Sequence, residues 1–329
     1  YLLYENQVWS PIADNSQIIF LNEDTAVHPK DMSDKGPGLG DSHWDSREIG
    51  QRLSEKAVDF ITHAATDNKP FFLYYCSPMV HLPHCPPDIF DGKKIKGQTP
   101  TNHLDMLLDL DMQVKRIVTA LKATNQYDNT LLIVTSDNGG LADRPAEKEG
   151  HRSNGGWKGN KNSPLEGGHR VPFIVRWPGK VQPGSVCHQL VHQADLMATL
   201  ADVTDAALAI DQGEDSFSIL PLLLGQDTPI RTNSISCSIR GVPSLRDGAW
   251  KCIPAPGSGG WGKGGDQSQA MQLYHLADDL GETRNLANKH PEKLAGMMDL
   301  LEKLIVNGRS TPGPKQANDV PVRRYPAKR

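Results

Sequence analysis

Apolar residues recur along the chain with two periods, and the changes between them mark the elements. From Ser46 to about Ala65, Ile49, Leu53, Ala57, Phe60 and Ile61 share one face of a 3.6-residue repeat, which predicts a helix with Ser46 as N-cap and Glu48 in its first turn. A second helix is predicted over 101–123, with Leu104, Leu107, Leu108, Val114, Ile117, Val118 and Leu121 in its stripe. A third falls near 188–203, and a fourth over 291–306 carries Leu294, Met297, Met298, Leu301, Leu304 and Ile305. Between them lie short aromatic or β-branched runs at 70–76, 130–136 and 172–177, each bounded by proline or glycine, which read as buried strands. Strands alternating with helices of this length predict a βαβ-type sheet covered on both faces. After about residue 230 the texture changes. Runs at 234–238, 242–245, 250–253 and 272–276 are separated by turns, including the glycine-rich 257–265, and predict a small antiparallel sheet packed on the last helix. The expected division is therefore 1–230, part of an α/β domain, and 231–329, a small α+β subdomain. Residues 1–45 lack a clear period and read as a long surface excursion with one short strand at 18–20. Gly36, Gly38 and Gly40 do not open a helix after a strand, so they predict a plain loop and no dinucleotide fingerprint.

Composition narrows the class. Hydrophobic content is 37%, and 30 glycines with 24 prolines in 329 residues point to a loop-rich enzyme more than a helical bundle. A net charge of −4 gives no basic footprint for nucleic acid. No run approaches the roughly eighteen apolar residues of a membrane span. Five cysteines, at 76, 85, 187, 237 and 252, show neither a disulfide framework nor zinc-ribbon spacing. The chain opens Tyr1-Leu2-Leu3-Tyr4, without an initiator methionine or signal-peptide pattern, which predicts a product of processing or a piece of something longer.

The strongest chemical signal is the end of the strand at 130–136. Asp137 and Asn138, before Gly139 and Gly140, fall at the C-terminal edge of a sheet, where open α/β folds bind ligands. Both offer oxygen, which suits Ca²⁺ or Mg²⁺. An Asp-Asn-Gly turn is the bland alternative; the position at a strand end and the segment at 161–172 favour the ligand reading. Lys161 lies in a glycine-rich loop that lets backbone approach an anion, and its ammonium suits an oxyanion as a point charge. Lys158 competes for that role. His81 follows the strand at 70–76 and carries imidazole for proton transfer. The spacing His81-x-x-His84-Cys85 invites zinc, but the prolines disfavour a helix and no second ligand cluster is visible in the sequence. His151, Arg152, His169 and Arg170 are basic residues near the same loops. Of these, His151 is counted with His81 and Lys161 as a substrate-binding candidate, Arg170 is most simply a partner of Glu166, and His169 packs. Asp195 serves a local structural role. Serine-hydrolase, zincin and P-loop patterns are absent.

Several segments together resemble the type I sulfatase family of the alkaline phosphatase superfamily. They are the strand and histidine loop from Phe71 to Pro83, Ser136-Asp137-Asn138-Gly139, the loop from Lys161 to Pro172, Phe173-Ile174-Val175-Arg176-Trp177-Pro178-Gly179, and Leu245-Arg246-Asp247-Gly248 with later C-terminal pieces. The resemblance implies an alkaline-phosphatase-like mixed sheet flanked by helices, plus a small C-terminal antiparallel sheet with one helix. It implies that Asp137 and Asn138 are metal ligands, usually of calcium and less often of magnesium. It also implies that His81 contacts the sulfate or bridging oxygen and Lys161 the sulfate oxygens. These residue types make chemical sense, because a sulfate ester is a poor electrophile until cations withdraw charge from its oxygens.

Three family elements have no match: an Asp-Asp pair, a Cys-x-Pro-Ser-Arg segment that supplies the formylglycine nucleophile, and a Lys-x-His segment. Cys252-Ile253-Pro254-Ala255-Pro256 imitates the second, but has Pro256 where arginine is required and reads as a packed strand cysteine. The expectation is a sulfuric ester hydrolase whose formylglycine lies outside these 329 residues, with little turnover by the chain alone and poor independent folding for want of a central strand. Its expected partner is a sulfated carbohydrate or small aryl sulfate ester, and the family implies export to periplasm, extracellular space or lysosome. The alternatives are a phosphoesterase or phosphonate monoester hydrolase of the same superfamily, and a non-catalytic chain that binds sulfated glycans.

Overall fold

The computed structural model describes residues 1–67, 69–262 and 264–325. The chain forms two compact units, Tyr1–Asn129 with Asp143–His151, and Thr130–Ala142 with Arg152–Arg329. The expected boundary near residue 230 falls inside the second unit. Among the described residues no helix is long and apolar enough to cross a membrane.

In the first unit a hairpin of β1 (Ile18–Leu21) and β2 (Gly38–Asp41) precedes two long helices, α1 (Ile49–Asp67) and α2 (Asn102–Ala123). The helices pack through Ala57, Ile61, Ile117, Ala120 and Leu121, the apolar stripes read from the sequence. Gly50 permits their close approach: a Cβ there would meet the side chains of Asp109 and Gln113. Helix α2 starts where predicted because Thr101 Oγ1 accepts from Leu104 N. Helix α1 starts later than predicted. Ser46 is not its cap, since its backbone N donates to Asp31 Oδ1 at 3.3 Å and its hydroxyl accepts from Trp44 Nε1.

The segment at 71–76 keeps strand-like alternation but joins no ladder among the described residues. Phe71, Leu73 and Tyr75 turn onto the α1–α2 core, while Phe72 and Tyr74 are 70% and 80% exposed. Side chains rather than a β-ladder fix it: Tyr75 and Ser77 hydroxyls both donate to Gln113 Oε1, at 2.6 and 2.9 Å. The loop bearing His81 leaves from that anchor.

In the second unit β3 (Leu132–Thr135) pairs with β4 (Phe173–Arg176), with Leu132 opposite Arg176 and Thr135 opposite Phe173. The pair is antiparallel, unlike the βαβ expectation; a parallel pair needs a long crossover, usually a helix, and no helix between these strands exceeds five residues. As a result the exit of β3, with Asp137 and Asn138, lies beside the entry of β4 and the loop that leads into it. Helix α3 (Asp195–Val203) follows, shorter than predicted; Asp195, its first residue, ties down the turn that leads in by accepting from His192 N at 2.7 Å. Beyond residue 230 the expectation holds: β5 (Asn233–Cys237), β6 (Pro243–Asp247), β7 (Trp250–Ile253) and β8 (Gln272–His275) form an antiparallel sheet in the order β8-β7-β6-β5. Helix α4 (Pro291–Asn307) packs on it through Leu294, Met297 and Leu301 against Leu245, Cys252 and Leu273, and stops at Gly308, whose φ of 62° suits glycine. The architecture is thus mixed α/β with a small C-terminal antiparallel sheet and helix.

Candidate active site

The strand end of the second unit is built as two loops hydrogen-bonded to each other. Gly139 N donates to Gly168 O at 3.0 Å, and Lys161 N donates to Gly140 O at 3.1 Å. Asn154 joins them: its Oδ1 accepts from Gly140 N at 2.8 Å and its Nδ2 donates to Gly159 O at 2.9 Å. The approach demands glycine at 139, where a Cβ would meet the Gly167 carbonyl. These bonds set Lys161 in a loop tied directly to the residues that follow Asp137 and Asn138.

Asp137 is exposed, and among the described residues its carboxylate meets the Ser136 hydroxyl, at 3.5 Å. The Asn138 amide nitrogen donates to Gly139 O, which leaves its Oδ1 as a second oxygen donor. Two oxygens fit a hard cation in kind and supply part of the six to eight that calcium takes. Gln193, which the sequence did not flag, donates to Thr135 Oγ1 at 3.0 Å and to the Ser136 carbonyl, and so holds the last turn before Asp137.

Of the two lysines, Lys158 is engaged: its ammonium donates to Glu282 O at 2.9 Å. Among the described residues nothing engages the Lys161 ammonium, which remains available to an anion. Beneath this loop lies a buried charge cluster. Lys251 Nζ lies 2.9 Å from Glu166 Oε1 and 2.9 Å from Glu282 Oε1, and all three side chains are at most 3% exposed. Glu166 N also donates to Glu282 Oε2 at 2.7 Å. Arg170 Nη1 donates to Glu166 Oε2 at 2.8 Å, as the sequence predicts, and its guanidinium stacks on Trp157. Burial pushes the Glu166 carboxyl up, but the Lys251 ammonium, with His169 and Arg170, more than reverses this and holds it at about 2. Burial also pushes Glu282 up and, with Lys251 opposing protonation, pushes His169 down to about 4, so His169 is neutral and packs, as expected. Leu165 completes the anchor by packing on Ile253 and Tyr274 of the C-terminal sheet.

The remaining predicted residues belong to the first unit. His81 is exposed; its Nδ1 meets Leu82 O at 3.0 Å, an arrangement in which Nδ1 carries the proton and Nε2 presents its lone pair. His151 ends the Asp143–His151 segment, half-buried, its backbone N donating to Ala146 O. The same unit has a cleft that the sequence gave no sign of, lined by Lys30, His84, Asn102, His103 and Asp143 together with Leu82 and Pro145. His84 and His103 stack with centroids 4.8 Å apart. Asp143 accepts from the Thr101 hydroxyl at 2.5 Å and lies 3.2 Å from His103 Nδ1. Burial raises the Asp143 carboxyl, and these bonds more than offset it. Cys252 is a packed strand cysteine, buried in β7 with its thiol pushed up to about 12 by burial.

Comparison with known proteins identifies the family. The sulfatase family profile matches residues 19–206, more than half of the chain. An N-acetylgalactosamine-6-O-sulfatase of Bacteroides thetaiotaomicron is 33% identical over 321 residues, covering 92% of this chain and 61% of that protein. Human arylsulfatase A is 32% identical over 288 residues, covering 79% of this chain and 54% of that protein. A solved Bacteroides thetaiotaomicron structure, described in terms of the metabolism of multiple glycosaminoglycans, superposes with a TM-score of 0.73 at 32% identity, over 82% of this chain and 57% of that one. The structure of Ps i-CgsB in complex with k-i-k-neocarrahexaose superposes with a TM-score of 0.65 at 28% identity, over 80% and 57%. The chain spans between half and two thirds of the length of these relatives, and its fold is that of the alkaline-phosphatase-like sulfatases. By a family profile that matches more than half of its residues and by relatives about a third identical over most of its length, the chain belongs to the sulfatase family.

Proposed function

We propose that the protein is a sulfuric ester hydrolase acting on a sulfated carbohydrate or an aryl sulfate. The observation that carries this reading is the second unit's pairing of two oxygen donors, an exposed Asp137 and a half-buried Asn138, with an ammonium that nothing engages among the described residues, on hydrogen-bonded loops. Asp137 and Asn138 are the residues that would hold a divalent cation, Ca²⁺ by donor type, which when bound supplies positive charge to sulfate oxygens. Lys161 draws charge from the same kind of oxygen as a point charge. His81, with Nδ1 held by a carbonyl, is assigned proton transfer to the leaving oxygen, and His151 a substrate contact, both by family resemblance. The nucleophile in this reading is a formylglycine carried outside residues 1–329; none of the five cysteines stands in the required sequence. A sulfated carbohydrate is favoured by the name of the Bacteroides relative, which is given for N-acetylgalactosamine 6-O-sulfate.

The test is turnover by the protein from its complete reading frame on an aryl sulfate, a 6-O-sulfated N-acetylgalactosamine and an aryl phosphate. Sulfate ester cleavage, lowered about a hundredfold or more in Lys161→Ala with metal content unchanged, supports the reading. Preference for the phosphate ester favours the phosphoesterase alternative, glycan binding without cleavage the non-catalytic one, and unchanged kinetics in Lys161→Ala removes the assigned role.

A further inference from the structure

The first unit holds a second donor set of different chemistry that the proposed function leaves unused. His28 caps the 3₁₀ turn Pro29–Ser33, its Nδ1 accepting from Lys30 N at 3.3 Å. The turn brings Asp31 back to it: Asp31 N donates to His28 O at 3.0 Å, and Asp31 Oδ1 lies 3.9 Å from His28 Nδ1. Cys85, from the proline-rich loop after His81, places its Sγ 3.7 Å from the same nitrogen. The three donor atoms, one nitrogen, one oxygen and one sulfur, lie within 4.8 Å of one another. Asp31 and Cys85 are buried, while the His28 side chain is 18% exposed and opens a way in from solvent.

Two observations distinguish this cluster from ordinary packing. Asp31 is 1% exposed, and its Oδ2 is buried with no hydrogen-bond partner among the described residues. A carboxylate oxygen left this way is costly unless a cation meets it. The nearby guanidinium of Arg47 does not, because Asp45 takes it at 2.6 Å. Spacing is the second. A tetrahedral zinc ion with bonds of about 2.0–2.3 Å holds its donors roughly 3.3–3.8 Å apart. The 3.7 and 3.9 Å separations to His28 Nδ1 need to close by little, and the remaining carboxylate–sulfur separation, within 4.8 Å, by about 1 Å.

We propose that His28, Asp31 and Cys85 bind one divalent cation of the zinc type, with solvent as its fourth ligand. Sulfur and imidazole select such a borderline-soft ion over calcium, in contrast to the oxygen pair at 137–138. Without metal the thiol is protonated, since burial and the Asp31 carboxylate push it up to about 11. On binding, the sulfur–metal bond replaces the S–H bond and the proton leaves to solvent, while His28 Nδ1 gives up its long contact with Lys30 N.

The test is titration of the metal-stripped full chain with Co²⁺, then displacement by Zn²⁺. Thiolate-bound Co²⁺ gives a sulfur-to-cobalt charge-transfer band and tetrahedral d–d bands, and one equivalent of Zn²⁺ removes both. The bands persist in Asp137→Ala. Cys85→Ala abolishes the charge-transfer band, and Asp31→Asn, which preserves shape, weakens affinity by at least about tenfold. The proposal is overturned if the folded chain shows no charge-transfer band, if the band survives Cys85→Ala, or if it disappears in Asp137→Ala with the fold intact by circular dichroism.

Discussion

Asp137 and Asn138 are adjacent in sequence, lie at an exposed strand end and offer only oxygen, whereas His28, Asp31 and Cys85 reach across 57 residues and place two of their three donors in the interior. The first pair leaves room for water and further ligands, which suits a cation that keeps a large coordination shell. The second set removes most of a cation's water and replaces it with nitrogen and sulfur, which suits a small four-coordinate ion. Their supports differ in the same way. The strand end is held by backbone bonds over a cluster of paired buried charges, while the triad carries a buried carboxylate oxygen with no hydrogen-bond partner among the described residues. Paired charge stabilises the ground state of one region, and unpaired charge keeps the other ready for a ligand.

The largest way to break this contrast is Lys251→Met. It leaves Glu166 and Glu282 buried without their shared cation, and unfolding in urea should show a loss of about 3–5 kcal/mol. A loss below about 1 kcal/mol would mean that the cluster does not hold the Lys161 loop. Next in size is acid sensitivity. His169 titrates at about 4 in the fold against an ordinary 6.5, so between those values the unfolded chain binds a proton that the folded chain does not. Stability is complete above about pH 6.5 and falls as pH drops toward 4, by up to roughly 1.4 kcal/mol per pH unit. Glu166, held at about 2 against 4.5, adds a further loss below its ordinary value. Urea midpoints measured across that range, with His169→Gln flattening the upper part, check the assignment.

The smallest effect has the opposite sign. Burial raises the Asp31 carboxyl, so the metal-free fold binds more protons there than the unfolded chain, and stability is lost as pH rises through the folded value. Asp31→Asn should therefore stabilise the metal-free protein at neutral pH by about 1 kcal/mol while weakening Co²⁺ binding. A destabilised metal-free Asp31→Asn would show that the carboxylate is a structural partner and no ligand.

Much of the scaffold was legible because it rests on local periodicity. The stripes at Ala57 and Ile61 and at Ile117 and Leu121 became the α1–α2 core, and the four short C-terminal runs became one antiparallel sheet. The pair Arg170 and Glu166 was legible for the same reason, since four residues on a helical turn bring side chains together. Ser46 misled because its hydrogen bonds go to Trp44 and Asp31, and only tertiary contacts decide that competition. The run at 70–76 misled because an aromatic, proline-bounded run signals burial and extended backbone, not whether a neighbouring strand supplies a ladder.

The sequence by itself determined the family, the helix faces and the acid–amide strand end, because each is written in contiguous residues whose chemistry survives any rotation of the chain. It also offered His81-x-x-His84-Cys85 as a zinc spacing and supplied no second cluster to complete it. Only the tertiary structure separated those three residues, sending His81 to solvent, His84 onto His103, and Cys85 to His28 and Asp31. It likewise buried Lys251 between two glutamates and occupied Lys158 with a carbonyl. Such meetings depend on which loops close on one another, and loop closure is set by the packing of the whole unit rather than by any short stretch of sequence.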